Sequence, residues 1–433
     1  MARAISTLGR RWRWLRPLAR RYLLAFSNQT RPRRRDVVQF FLRDEGLLAA
    51  WSKYPHELSI EHYLTGPQPM HPVRAALGWN IPSIESQGAL AEWLGLTPGE
   101  LAWFADLKRL GYKQSSPKLL HYHYRVVPKR SGDLRLIEAP KPRLKNLQTQ
   151  VLVRILDWIP PHPAVHGFVK GRSIKTFLIP HVGKRVILRM DLRDFFPGIG
   201  AARIQALFCT AGYPESVADV LGGIATNSVP RIIWDKLGFD VDRTLLREAR
   251  ELYSQRHLPQ GAPTSPALAN LCAYRADCRL SGLAKSVGGE YTRYADDLAF
   301  SGDSTLERCV ARFSTHVAAI LHEEGFAVRH RKTRIMRQGV RQHLAGLVAN
   351  QRVNVMRCDF DRLKATLTNC VRFGPESQNR DAHPHFCAHL SGRVGFVEMI
   401  NPDKAKRLRK IFEQIEWPGG SSHDHSDTDL TKG

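Results

Sequence analysis

Two adjacent acids, Asp296 and Asp297, are the feature that most constrains this chain. They end the run Tyr294-Ala-Asp-Asp297, and the flanking segments 291–294 and 298–301 have the aromatic and aliphatic composition of two hairpin strands. Neighbouring side chains on a straight strand point to opposite faces, so both carboxylates can face one site only at a tight turn. Like charges so close repel, and burial increases the repulsion. The pattern predicts either a solvated turn or an acid pair that a divalent cation neutralises.

A third acid favours the second interpretation. Residues 185–191 predict a strand that ends on Asp191, followed by Leu-Arg-Asp-Phe-Phe-Pro197. An acid at the end of a buried strand is a good position for a metal ligand. Asp191 lies about a hundred residues before the acid pair, so only a folded sheet can bring the three together. Three such carboxylates would hold two Mg²⁺ ions roughly 3.5–4 Å apart, the geometry for in-line phosphoryl displacement.

The net charge indicates the kind of partner. The chain of 433 residues has 65 Lys and Arg against 40 Asp and Glu, a formal net charge of +25. A nucleic acid is the first candidate partner, and an anionic membrane surface is the second. No apolar run approaches the roughly 18 residues of a membrane span. The seven cysteines contain no C-x-x-C pair, which predicts reduced thiols and a cytoplasmic location.

A basic hairpin is predicted before the acids. Residues 119–128 and 134–138 have the composition and alternation of two strands, and 129–133 form the turn between them. Lys129 in the turn and Arg135 on the return strand are well suited to phosphates. An ordinary basic surface hairpin explains the pattern equally well.

Two loops complete the set of candidate binding segments. The loop 165–174 leads into a helix start, where backbone N–H groups and Arg172 would hold an anion. The loop 258–266 contains two prolines after a Gln-Gly step, which makes it rigid. Gln260 in this loop can hydrogen-bond a base or sugar, and Gly261 lets the backbone approach closely.

In chain order, these segments resemble the retron-type reverse transcriptases. The resemblance covers roughly residues 118–416, and several motifs in the right order are more specific than any one of them. The motifs are Arg-Ser-Gly at 130–132, Gly-Arg-Ser-Ile at 171–174, the Asp191 box with its double Phe, Gln-Gly-Ala-Pro-Thr-Ser-Pro at 260–266 and Tyr-Ala-Asp-Asp at 294–297. The form of the fourth motif favours retrons over group II intron enzymes.

The resemblance implies an α+β fold of the right-hand polymerase class, with fingers, palm and thumb. It also implies an antiparallel palm sheet and an N-terminal helical extension. The expected domains are a disordered basic arm (1–35), a helical region (36–115), fingers (116–185), a palm (186–352) with a helical insertion at about 199–255, a thumb (353–418) and a disordered tail (419–433).

For the site, the resemblance implies two Mg²⁺ ions, or Mn²⁺, held by Asp191, Asp296 and Asp297, with Asp297 secondary. Phe196 would lie under the incoming sugar and exclude a 2′-OH, while Phe195 is expected nearer the core. The implied nucleotide-binding residues are Lys129, Arg135, Asp194, Phe195, Phe196, Gln260, Gly261 and Lys332. The implied nucleic-acid-binding residues are Arg172, Tyr294, Gly346, Lys404 and Arg407.

The implied activity is RNA-directed DNA synthesis on a structured non-coding RNA, with dNTPs as substrates. In retrons, synthesis starts from an internal 2′-OH and leaves a branched RNA–DNA molecule, and the implied role is anti-phage defence with an effector or toxin partner. Leu344-Ala345-Gly346 stands where many retron enzymes have Val-Thr-Gly, a feature associated with recognising the cognate RNA. The alternatives are a group II intron-like or other defence-associated reverse transcriptase and, from a different class, a non-catalytic RNA-binding scaffold.

Overall fold

The computed structural model describes residues 12–27, 32, 34–55, 69–113, 116–128, 134–235 and 242–417, and the chain divides into two compact units, Met1–Pro67 and Gln68–Gly433. In the described residues the α-helices are α1 (Leu15–Ala25), α2 (Arg34–Arg43), α3 (Glu45–Lys53), α4 (Gln87–Leu94), α5 (Pro98–Ala105), α6 (Pro142–Arg154), α7 (Ile174–Leu178), α8 (Ala201–Thr210), α9 (Glu215–Ala225), α10 (Arg231–Asp235), α11 (Arg243–Ser254), α12 (Ser265–Cys272), α13 (Tyr274–Ser286), α14 (Ser304–Glu323), α15 (Arg357–Phe373), α16 (Phe386–Ile400) and α17 (Pro402–Phe412). The β-strands are β1 (Tyr122–Pro128), β2 (Leu134–Pro140), β3 (Val186–Arg193), β4 (Glu290–Tyr294), β5 (Asp297–Gly302), β6 (Ala327–Val328), β7 (Arg334–Arg337), β8 (His343–Leu344), β9 (Leu347–Val348) and β10 (Asn354–Val355).

The first unit contains α1 to α3. The basic arm was expected to be disordered over 1–35, but α1 is a helix within it. The physical reason is burial: Leu15 packs with Trp12 and Ala50 in a small cluster, and the Trp12 ring lies 4.6 Å from the ring of Tyr54. Enough apolar surface is therefore buried here to order a segment that is rich in arginine. The predicted tail, 419–433, lies outside the described residues.

An antiparallel sheet forms the centre of the second unit. Its order is β4-β5-β3, and β6 and β7 pair with the other edge of β3. Leu188 and Met190 on β3 enter one hydrophobic core, and Ile187 enters the other, because side chains alternate along a strand. The predicted antiparallel sheet is confirmed. The strand predicted to end at Asp191 continues for two further residues, through Arg193, because β6 pairs with that end of it.

The two cores cover opposite faces of this sheet. The first contains residues of α6, α8, α9 and α12 to α14. The second contains residues of α15 to α17 together with Ile187 and Ala299 of the sheet. Apart from these cores, Leu136 of the β1–β2 hairpin packs with α10 and α11 around Trp234 and Tyr253. No described helix is long and apolar enough to cross a bilayer.

A buried ion pair ties the β4–β5 hairpin to the helices beneath it. Arg293 on β4 is 1% exposed, and its guanidinium donates to both carboxylate oxygens of Asp277 on α13, at 2.8 and 2.7 Å. It also donates to Asn270 at 3.0 Å and to the carbonyl of Ala295 at 3.1 Å. The hydroxyl of Tyr291 donates to the same carboxylate at 2.7 Å. The turn of the hairpin is therefore fixed from below by a network that does not face solvent.

Replacing Asp277 with asparagine leaves the guanidinium of Arg293 buried without its counter-charge. We expect Asp277→Asn to lower the free energy of unfolding by about 3–5 kcal/mol, measured by urea denaturation. A matched control is Asp235→Asn, because Asp235 pairs with Arg250 at 2.9 Å in an exposed position. An exposed pair contributes only about 0–1 kcal/mol. Equal losses in the two variants would contradict the role given to the buried pair.

Candidate active site

The hairpin turn and the central strand bring the three predicted acids together. Strands β4 and β5 pair as far as Tyr294 and Asp297, which leaves Ala295 and Asp296 as a two-residue loop. Ala295 has a φ of 55°, the left-handed backbone that the first residue of such a tight loop requires. Asp191 on β3 is the direct cross-strand partner of Asp297. Two acids on adjacent strands and a third at the turn therefore lie at one end of the sheet.

Cationic side chains contact two of these acids. One oxygen of Asp297 accepts from Nε and Nη2 of Arg189, at 2.9 and 2.7 Å. Asp191 accepts from Nζ of Lys332 at 2.8 Å, and Nε of Arg329 lies 3.8 Å from its other oxygen. Asp297 is thus largely committed to an ion pair within the sheet, while Asp191 faces two cations at the edge of the site.

Asp296 has the least favourable electrostatic surroundings of the three. Burial, and then the negative charges of Asp191 and Asp297, raise the pKa of Asp296 above its ordinary value. A cation beside these groups would favour the charged form of Asp296. Carboxylate oxygens are ligands that Mg²⁺ accepts, and Mg²⁺ commonly takes one or two of them together with substrate phosphates. The donor set of Asp191 and Asp296 therefore fits a divalent cation.

Within the described ranges, no group of three or more His, Cys, Asp or Glu side chains is arranged to hold a metal ion on its own. In the same ranges, Arg189 directs the carboxylate of Asp297 to its guanidinium, and Lys332 pairs with Asp191. A set of three direct carboxylate ligands stays a prediction. Two carboxylates completed by substrate oxygens agree better with these contacts.

A cleft of about 810 Å³ opens beside the acids. Its wall has a cationic part, with Arg135, Arg329 and Lys332, and an aromatic part, with Phe168 and Phe196. A site with both parts can hold the charged and the flat portions of one ligand. The predicted site residues in this wall are Arg135, Asp191, Asp194, Phe195, Phe196, Gln260, Asp296 and Lys332.

The two phenylalanines after Asp194 differ in their surroundings. Phe195 is 5% exposed, its ring lies 6.0 Å from that of Phe326, and the guanidinium of Arg293 lies 5.5 Å from its centre. Phe196 is half-buried and faces the cleft. The prediction that Phe195 lies nearer the core is confirmed by its burial.

A buried charged pair fixes the position of the Gln260 loop. The carbonyl of Gln260 accepts from the backbone N–H of Glu138 at 2.9 Å. Gly261 has a φ of +135°, and a Cβ there would lie 2.8 Å from the carbonyl oxygen of Glu138. The carboxylate of Glu138 is fully buried and accepts from His257 at 2.9 Å and from Asn227 at 2.7 Å. Sequence reasoning missed this pair, because neither residue stands in a motif and 119 positions separate them.

Two predicted nucleic-acid contacts lie beside the hairpin turn. Arg172 is exposed, but its guanidinium donates to the carbonyl of Val165 at 2.9 Å and to that of Pro163. It therefore fastens its own loop. Tyr294 ends β4, and its half-buried ring lies 6.4 Å from the ring of Phe168.

The remaining predicted contacts lie away from the cleft. Gly346 has a φ of +84° in the turn between β8 and β9. On α17, the Nζ of Lys404 lies 4.9 Å from the ring centre of Phe360, and Arg407 is exposed. Lys129 lies outside the described residues. The structure therefore places Gly346, Lys404 and Arg407 on separate elements of the second unit and outside the wall of the cleft.

The pair of Glu138 and His257 makes stability depend on pH. Burial lowers the pKa of His257, but the charge and hydrogen bond of Glu138 outweigh burial and raise it above its ordinary value. Both ring nitrogens face acceptors, since the second lies 2.7 Å from the carbonyl of Gln255. A histidine whose pKa is higher in the folded than in the unfolded state stabilises the folded protein when it is protonated. This stabilisation is fully present below the unfolded pKa of about 6.5 and is lost as pH rises through the folded pKa.

We therefore expect the stability difference between the wild type and His257→Gln to shrink as pH rises from about 6 to about 9. Urea denaturation at each pH measures it. His181→Gln is the control, because burial lowers the pKa of His181 to about 3 and its ring sits between Ser301 and Thr292. The stability difference between the wild type and His181→Gln should stay constant above about pH 6.5. A His257 difference that is flat or growing would be inconsistent with a charged ring.

Comparisons with known proteins agree with one another. The family described as "Reverse transcriptase (RNA-dependent DNA polymerase)" matches residues 127–356. The chain is 39% identical over 334 residues to the retron Mx65 reverse transcriptase of Myxococcus xanthus, covering 77% of this chain and 72% of that protein. It is 35% identical over 350 residues to the retron Mx162 reverse transcriptase of the same species, with coverages of 78% and 68%. Identity to the retron Ec86 reverse transcriptase of Escherichia coli is 30% over 306 residues, with coverages of 70% and 84%.

Proposed function

The chain belongs to the retron reverse transcriptases, and from this membership we propose that it makes the branched RNA–DNA product of a retron. It is an RNA-directed DNA polymerase. Its proposed template is a structured non-coding RNA, and its proposed primer is an internal 2′-OH of that RNA. The observation that carries the proposal is the single cleft whose wall contains Asp191, Asp296, a cationic side and Phe196.

Asp191 and Asp296 are the proposed ligands of divalent cations, Mg²⁺ or Mn²⁺, and Asp297 is proposed as a secondary member. Two observations support these different roles. Arg189 forms an ion pair with Asp297, whereas Asp296 is buried beside two like charges. Held by these carboxylates, divalent cations would supply activation of the attacking hydroxyl and stabilisation of the leaving pyrophosphate.

The nucleotide pocket is proposed to use the opposite parts of the cleft wall for different parts of a dNTP. Arg135 and Lys332 would bind the triphosphate, with Lys129 as a further predicted cation. Lys332 is 48% exposed, so it can reach phosphate oxygens as well as Asp191. Phe196 would lie under the sugar, and Gln260 would contact the nucleotide or the template. Asp194 would lie near the triphosphate through its backbone. Gly261 would let the backbone of the Gln260 loop approach the nucleotide closely.

The right-hand architecture is also a proposal. The β1–β2 hairpin and α6 would belong to the fingers, the central sheet to the palm, and α15 to α17 to the thumb. The boundaries predicted from the sequence are kept, with the palm at 186–352 and the thumb at 353–418. The thumb would hold the template–primer duplex through Lys404 and Arg407, because an A-like duplex is bound mainly through its backbone. Arg172, Tyr294 and Gly346 stay proposed contacts to nucleic acid.

The biological setting rests on the family. We propose a role in anti-phage defence, in the cytoplasm, with an effector or toxin protein as a further partner. The presence of all three acids disfavours a non-catalytic scaffold. Sequencing of RNA that copurifies with the protein should identify a structured RNA, encoded next to the gene of the protein. RNA without any such origin would contradict the retron assignment.

The acid assignments predict graded losses of activity. Asp191→Asn and Asp296→Asn should each lower primer extension on an RNA template with Mg²⁺ and dNTPs by at least about 100-fold, because each removes a charge that stabilises the reaction by several kcal/mol. Asp297→Asn should lower it less. Asp303→Asn is the control, since Asp303 is exposed beyond β5. Full activity in Asp296→Asn would refute the proposed catalytic site.

The position of Phe196 predicts selectivity for the sugar. Phe196→Ala should raise the efficiency of rNTP incorporation relative to dNTP by at least about 10-fold, because the ring no longer excludes a 2′-OH. Single-nucleotide incorporation measures both efficiencies. Phe195→Leu is the matched control, since it alters a buried ring and should change stability rather than selectivity. An unchanged ratio in Phe196→Ala would show that this ring does not select the sugar.

A further inference from the structure

Three residues in the wall of the cleft have a left-handed backbone. They are Phe168, Asp194 and Ala295, with φ values of 60°, 48° and 55°. For residues other than glycine this conformation is strained, and for a bulky side chain it is a marked outlier. Ala295 forms the hairpin turn, and Asp194 forms the turn after the central strand. Phe168 forms a turn in its own loop, where glycine would adopt the same backbone without strain, so a large side chain at this position calls for an explanation.

The loop that carries Phe168 is held tightly against the hairpin. A Cβ at Gly167 would lie 2.5 Å from the backbone nitrogen of Ala295, so the two backbones are in direct contact. The carbonyl of Gly167 accepts from Asn270 at 2.9 Å, and the N–H of His166 donates to the carbonyl of Arg293 at 2.8 Å. The loop has little freedom to relax, and these contacts maintain the strain at the next residue.

The strained backbone projects a large ring into the cleft. Phe168 is 54% exposed, although the preceding residue, Gly167, is buried. Its ring lies 6.3 Å from that of Phe196 and 6.4 Å from that of Tyr294, and it shares the cleft wall with Asp296. An aromatic face left open beside a nucleotide site is suited to a flat, apolar partner, and a nucleobase is such a partner.

Given the proposed function, we propose that Phe168 contacts the face of the templating base when that base pairs with the incoming nucleotide. The triphosphate of the incoming nucleotide has Arg135 and Lys332 as candidates, and its sugar has Phe196, so the ring of Phe168 is left for a base. The loop of Phe168 also carries Lys170, which is exposed and suited to a template phosphate. The contacts of Gly167 and His166 hold the ring at the site in the absence of substrate.

Phe168→Gly separates the role of the ring from that of the backbone, because glycine adopts positive φ without strain. We expect a melting temperature that is unchanged or higher, together with a drop of about 5- to 100-fold in kcat/KM for the correct dNTP, expressed mainly in KM. Phe168→Trp should keep most of the activity. Trp103→Ala removes a 40% exposed ring on α5, which carries none of the proposed contacts, and should leave KM unchanged.

An abasic template position provides the decisive comparison. Without a templating base, the ratio of wild-type to Phe168→Gly efficiency should fall to about one, because the ring has lost its partner. A ratio that stays as large on the abasic template would overturn the proposal, and so would a KM within twofold of the wild type on a normal template. A parallel fall in melting temperature and kcat with unchanged KM would make Phe168 structural. A wild type unable to extend any primer would instead refute the proposed function.

Discussion

The active-site turn depends on a charge buried beneath it. Taking the guanidinium of Arg293 out of water is costly, and Asp277 compensates with two hydrogen bonds of 2.8 and 2.7 Å. The remaining donor capacity goes to Asn270 and to the carbonyl of Ala295. Arg293, the residue that carries the buried charge, thus also sets the backbone of the turn before Asp296. A cluster of acids that repel one another is held in place by groups that do not touch the cleft.

The strand register explains why the two adjacent acids differ. Arg189 and Asp191 lie on the same face of β3, and Asp297 stands opposite Asp191 on β5. The guanidinium of Arg189 therefore reaches Asp297 from the neighbouring strand. Asp296 belongs to the turn rather than to the ladder, and β3 contacts it through its backbone, since the N–H of Leu192 donates to the carbonyl of Asp296 at 2.9 Å. Asp296 and Asp297 are adjacent in the sequence, but their positions relative to the sheet give them different electrostatic surroundings.

Local patterns predicted the elements that carry the site, and long-range pairing determined the rest. The β4–β5 hairpin and its turn were predicted because the apolar runs and the acid pair are contiguous. The pairing of Arg189 with Asp297 spans 108 positions and that of Glu138 with His257 spans 119, and no local signal marks either. The helix α1 lies in the arm that was expected to be disordered, because arginines dominate the composition of this arm, whereas burial of Leu15 orders it.

Backbone contacts, rather than side chains, position the two loops that complete the cleft. Gly167 meets the hairpin turn, and Gly261 meets the carbonyl of Glu138, at distances that leave no room for a Cβ. Any larger residue would push a loop away from the acids. The backbone packing at these two glycines thus sets where the neighbouring side chains, Phe168 and Gln260, enter the wall of the cleft.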